Sequence, residues 1–203
     1  FNQHDPQSYG MVVTQYESAY VGLLCSYKNP GDETIDIQLT VSHDNLHWNR
    51  VADQKTFLTL GSPGSWDDGM LFCAPLIAVQ NKVLIYYGAW DGPHNSSQHS
   101  SGIGLATLRK DGFVSLDAGA EPGTVTTRLL NESARPLLIN ADARHGSVRV
   151  EVRDQSGKVW PGYSADDCMP LTSDATDHPI RWKTHTTLPA SEAGIHLHFL
   201  ITN

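Results

Sequence analysis

Short apolar runs of strand length, parted by turn residues, fill the first half of the chain, and helical periodicity is nearly absent. Met11-Val12-Val13, 20–24, 35–41 and 83–87 are rich in β-branched and aromatic side chains. The run 35–41 alternates apolar with polar, which predicts a strand with one buried and one wet face; the others are more continuously apolar, which predicts strands covered on both sides. Asn29-Pro30-Gly31, Gln80-Asn81, Asp111-Gly112 and the segment 154–157 supply the turns, and Asp44-Asn45 and Asp111-Gly112 tolerate the positive φ of a tight hairpin.

These runs come in a repeated order. From Gly10-Met11 the chain passes an apolar strand, a second ending at Tyr27, a polar excursion, and a third strand closed by Asp44-Asn45. From Gly69-Met70 the order recurs: a run over 71–79, another over 83–87, an excursion, then 103–108 closed by Asp111-Gly112. A repeat of several short strands at a period of roughly sixty residues predicts successive blades of a β-propeller. Two blades do not close a ring, so the expectation is an all-β chain that forms part of a larger unit.

The character changes at the loop 118–123. Beyond it the pattern predicts strands at 124–130, 137–141, 147–153, 180–183 and 195–201, with strict alternation in 148–153 and 195–199. Antiparallel strands with one wet face predict a β-sandwich. The expected division is two blades over 1–116 and a sandwich module over 117–203.

Charge narrows the function classes. Twenty-two acidic against 14 basic residues give a net charge of -8, and no Lys/Arg cluster exists to displace counterions from phosphate, which argues against nucleic acid as a partner. No apolar run reaches the roughly 18 residues of a membrane span. Cys25, Cys73 and Cys168 are too scattered for a disulfide framework, and the first two lie in apolar runs that suit buried thiols. No spacing supports a zinc site. The acceptor triplets Asn95-Ser96-Ser97 and Asn131-Glu132-Ser133, with a first residue that is not Met, suit a secreted or extracytoplasmic protein.

Three stretches carry a resemblance. Ser65-Trp66-Asp67-Asp68-Gly69-Met70 is followed by Tyr86-Tyr87-Gly88-Ala89-Trp90-Asp91-Gly92-Pro93-His94, then by the run from Gly104 to Leu116. Together with Ser42-His43-Asp44-Asn45-Leu46-His47-Trp48 they resemble the C-terminal part of bacterial proteins similar to invertase-like and arabinanase-like glycoside hydrolases. Leu138-Ile139-Asn140-Ala141-Asp142, Gly162-Tyr163-Ser164 and Asp166-Asp167-Cys168 are similar to the sandwich appended in that group. The resemblance implies a partial five-bladed β-propeller followed by a β-sandwich, acting on an oligosaccharide or polysaccharide. It also implies that the earlier blades, with the nucleophile carboxylate, lie on missing N-terminal sequence or on a second chain.

Glycoside hydrolysis needs two carboxyl groups facing each other across a sugar. Asp67 and Asp68, just before an apolar strand, and Glu17, at the end of another, are the candidate catalytic carboxylates. Each has a plain alternative: one of the Asp pair caps a turn before Gly69, and Glu17 is a hairpin residue. Trp66, Trp90, Asp91 and His94 are the candidate substrate-binding residues, with Trp rings able to stack on a sugar and His94 either bonding a hydroxyl or lying in an ordinary surface loop. Asp44 and Trp48 read as structural, an acceptor in a turn and a packing ring. His196 and His198 share a strand face without a visible third ligand, and the acidic run Asp166-Asp167 with Asp174 and Asp177 lacks the regularity of a calcium loop, so both read as solvated. No cofactor is implied, and a divalent ion near the propeller axis stays open. The favoured function is a hydrolase-like carbohydrate-active protein, completed by further blades; the alternatives are a non-catalytic sugar-binding lectin and a purely structural assembly piece.

Overall fold

A computed structural model describes residues 7–132 and 134–203. The described residues are all-β, in several sheets and with no closed barrel. Two compact units are distinguished, Phe1–Lys110 and Asp111–Asn203.

The first unit holds one nine-stranded sheet system that folds as two successive meanders. In the first, β1 (Gln7–Tyr16), β2 (Ala19–Tyr27) and β3 (Ile35–Ser42) pair antiparallel in chain order. The short β4 (Asn49–Arg50) and β5 (Thr56–Leu58) then line the far edge of β3, joined by a 3-10 turn at Ala52–Gln54. In the second, β6 (Met70–Cys73) and β7 (Ile77–Val79) both pair with β8 (Lys82–Trp90), which pairs with β9 (Ser101–Arg109). The single run expected over 71–79 is thus broken in two. Pro75 has no N–H for the ladder, and the next amide, Leu76, donates instead to Thr14 Oγ1 at 3.0 Å.

The meanders meet where Ile35 pairs parallel with Met70 and the Cys25 thiol donates to the Leu71 carbonyl at 3.9 Å. One face of the first, Val21, Leu23, Cys25, Ile35, Ile37 and Leu39, is apolar and buried, as is the face of the second with Leu71, Val83, Ile85 and Ala89. Burying such faces is the main stabilising term of the unit.

Two expectations about wet and dry faces are corrected. β3 is buried on both sides, including Asp36, Gln38, Thr40 and Ser42. The segment carrying β4 and β5 covers the polar side: the Trp48 ring comes over Gly22, Arg50 Nη1 donates to Gln38 Oε1 at 3.2 Å, and Thr56 Oγ1 donates to Asp36 Oδ2 at 2.6 Å. Conversely β1, expected to be covered on both sides, leaves Met11 and Val13 each 37% exposed.

In the second unit, β10 (Gly123–Thr126), β14 (Ile195–Thr202) and β12 (Ser147–Asp154) form a three-stranded antiparallel sheet. A separate pair joins β11 (Leu138–Asp142) to β13 (Asp174–Pro179). Val150, Val152, Ile195 and Leu197 close on Tyr163, Ile180, Trp182 and Leu188, and Trp182 Nε1 donates to the Val150 carbonyl at 2.9 Å. The strand expected at 180–183 lies instead at Asp174–Pro179, where Asp174 pairs with Asp142 and Asp177 falls at the register shift. Ile180 and Trp182 are core residues outside any strand, which is why their apolar alternation imitates one.

Candidate functional site

One end of the first unit gathers aromatic and ionisable side chains from four segments. β1 contributes through a bulge: Ser8 lies opposite Ser26 and Gly10 opposite Cys25, so Tyr9 is the extra residue. A bulge re-aims a side chain, and the Tyr9 ring turns edge-on to three others, Tyr27 at 5.7 Å, Phe72 at 6.0 Å and His94 at 5.2 Å. It still leaves 51% of its surface exposed. Phe72 in turn stands perpendicular to Trp90, with centroids 5.4 Å apart.

The link between β2 and β3 supplies the carboxylate. Asp32 Oδ1 accepts the Thr34 amide at 3.1 Å and the Thr34 hydroxyl at 2.6 Å, an Asx-type turn that holds the Asp32 carboxyl below its ordinary range. Between them Glu33 adopts a left-handed backbone, φ 59°, and its amide donates back to the Lys28 carbonyl at 3.2 Å. Non-glycine residues in that region concentrate at functional sites. The Tyr27 phenol donates to Glu33 Oε2, and this bond is the main reason the phenol's pKa is raised. No described residue donates to Oε1.

The link between β8 and β9 meets this turn directly. Asp91 closes its base, accepting the Ser100 amide on Oδ1 at 2.6 Å, and His99 Nδ1 lies 2.6 Å from the Asp91 carbonyl. At its tip the His94 amide donates to the Glu33 carbonyl at 2.8 Å, while His94 Nε2 lies 3.0 Å from the Tyr9 hydroxyl. Four of the rings are thus placed by strands, while His94 and the Glu33 carboxylate are brought to them by a hydrogen bond between two loops.

The residues singled out from sequence fall in three places. Trp90 and His94 belong to the aromatic end, and Asp91 shapes its loop. Trp66 stacks on Tyr87 at 5.9 Å and 10°, and Tyr87 projects from the opposite face of β8 to Trp90. Asp67 lies with that stack, accepting the Ser65 hydroxyl at 2.8 Å and the Tyr87 phenol at 3.3 Å. Asp68 clamps two loops: its oxygens accept the Gly64 amide at 2.6 Å and the Gly92 amide at 2.9 Å, the Gly92 bond being the larger cause of its lowered pKa. Glu17 sits with Ser18 in the two-residue turn between β1 and β2, φ 51°, at the other end of β1 from Tyr9.

Tyr9, Tyr27, Glu33 and Phe72 were not among the sequence candidates. The signal that finds Glu33 is the repeat itself, because Glu33 and His94 occupy the same link, second strand to third, in the two copies. Tyr9 has no such signal, since a bulge is set by pairing register.

Among the described residues no group of three or more His, Cys, Asp or Glu side chains is placed to hold a metal ion. His196 Nδ1 faces the Thr127 carbonyl at 2.9 Å and His198 Nδ1 the Thr126 hydroxyl at 2.7 Å. The three cysteines are free and buried; burial pushes the Cys73 thiol up to about 12, which removes it as a nucleophile near neutral pH. No protein-family model matches this chain, and no curated protein matches it.

Proposed function

We propose that the first unit is a pair of consecutive β-propeller blades whose aromatic end binds a saccharide, and that the second unit is an appended β-sandwich module. The single observation that carries the binding reading is the half-exposed Tyr9 ring, bulged out beside Tyr27, Phe72 and His94, with the Glu33 carboxylate at the same end. A sugar presents an apolar face to stack on such rings and hydroxyls that need fixed polar partners at the rim. The blade reading draws support from two meanders in the same strand order and from an apolar face left open on the second: Ile77, Val79, Tyr86, Leu105 and Ile103, the last 83% exposed. A further blade, from a preceding segment or a second chain, would cover that face.

Binding is favoured over hydrolysis because both oxygens of Asp68 and both of Asp67 are engaged in local hydrogen bonds, and Glu17 lies at the opposite end. Bond cleavage would take a second carboxylate, facing Glu33, from a further blade. Calorimetric titration of the chain with neutral oligosaccharides, alongside a reducing-sugar assay, tests this. Binding without sugar release is expected, and Trp90→Ala or Tyr9→Ala, with circular dichroism unchanged, lowers affinity at least about tenfold. Unaltered affinity in both variants, or no saccharide bound at millimolar concentration, removes the proposal.

A further inference from the structure

We propose that the saccharide taken at this end carries a protonated amine, and that Glu33 is the residue selecting it; this rests on the saccharide reading above. Three features lead there, and the first is the state of the carboxylate. Glu33 is held from both sides of its backbone, through its own amide to Lys28 and through its carbonyl from His94, so the side chain leaves a fixed point. One oxygen receives the Tyr27 phenol; the other receives nothing from the described residues.

The second is that, among the described residues, neither link offers Glu33 a free Lys or Arg to answer that charge. The link 91–100 contains no Lys or Arg, and the link 28–34 contains only Lys28. Lys28 Nζ is committed elsewhere, 3.1 Å from Asp36 Oδ2. The third is the surroundings of the carboxylate. Tyr27 touches the carboxylate directly and packs against Tyr9, which leaves half its surface to solvent as an aromatic ring able to attract a cation.

These features rank ligands. A uronate or sulfated sugar brings a second negative charge against Glu33 and is repelled. A neutral hydroxyl gives Oε1 an ordinary hydrogen bond. An ammonium gives it a charge-assisted one and gains attraction from the rings as well. The amine-bearing sugar therefore binds best among saccharides of equal length.

The test titrates the full chain with glucosamine oligomers and with N-acetylglucosamine oligomers of the same length, at mildly acidic pH where the free amine is charged. The amine series binds at least about tenfold more tightly, the combined scale of one charge-assisted bond and one cation–π contact. Glu33→Gln abolishes that difference, bringing the affinity of the amine series down to that of the acetylated series. Should that variant not fold, the wild-type preference read against sodium chloride decides, since an ionic preference shrinks as salt rises and a steric one does not. Equal affinities, a tighter acetylated series, or a salt-independent preference overturns the inference while leaving saccharide binding standing. No binding by any saccharide removes both.

Discussion

The two meanders of the first unit share their strand order but not their surroundings. In the first, β2 and β3 are buried on both faces: the second meander lies on one side, and the returning segment with Trp48, Arg50 and Thr56 covers the other. In the second, β8 buries one face and β9 half-buries its matching positions, while the other face is left largely to solvent. Covering depends on the path of the chain beyond the third strand. After β3 the chain turns on Asp44, whose Oδ1 accepts the Leu46 and His47 amides at 2.9 and 2.8 Å, and comes back along the β3 edge. After β9 no strand returns along its free edge among the described residues. Equal sequence patterns thus end in unequal burial, because the third strand's outer partner is present in one copy and absent in the other.

Four measurements press on that contrast, in order of expected size. Gly69→Ala tests the join at the aromatic end: a Cβ there collides with the Gly92 backbone, and Gly69 also spans to Trp90 and Ile35 through its amide and carbonyl. Because the obstacle is backbone, about 3 kcal/mol of stability is lost in urea denaturation. A loss below about 1 kcal/mol means the two loops are not pressed together as described.

Leu23→Ala and Leu105→Ala compare the faces directly. Leu23 is 1% exposed and its truncation costs about 3 kcal/mol, whereas Leu105, 48% exposed, costs less than about 1 kcal/mol. Equal costs mean that the open face is covered in solution. Replacing Ile103 and Leu105 together by Lys asks the same question from outside. Stability stays within about 0.5 kcal/mol, and any self-association seen by sedimentation falls.

The smallest effect is the acid limb. Asp68 has a carboxyl pKa lowered from 3.8, first by the Gly92 amide and then by that of Gly64. Its contribution is therefore present above 3.8 and fades as pH falls through the depressed folded value. Asp68→Asn flattens stability against pH in that acid window and leaves the profile above it parallel to wild type. A steeper acid limb in the variant contradicts the clamp.

The turns were the most legible part of the chain. Asn45, Gln80 and Asp111 all take positive φ where hairpin chemistry places them, and the Val79–Lys82 hairpin closes on Gln80-Asn81. Strand existence was nearly as clear, since 35–41, 147–153 and 195–201 each lie within an observed strand. The site was only half visible. Trp90 and His94 stood out as a ring and an imidazole beyond a strand, but Trp66 and Asp67 looked similar and project with Tyr87 from the opposite face. Glu33 looked like any acidic loop residue, because its backbone conformation and its meeting with His94 have no local signature.

Local chemistry therefore settled the all-β class, the positions of most turns, and the repetition of a three-stranded pattern, since each depends on neighbours a few residues apart. The folded chain alone decided which face of each strand is dry, that Tyr9 is the bulged residue, and that loops sixty residues apart bring Glu33 beside His94. Those outcomes depend on register and on which segment arrives to cover another, and both are set by contacts distant in sequence.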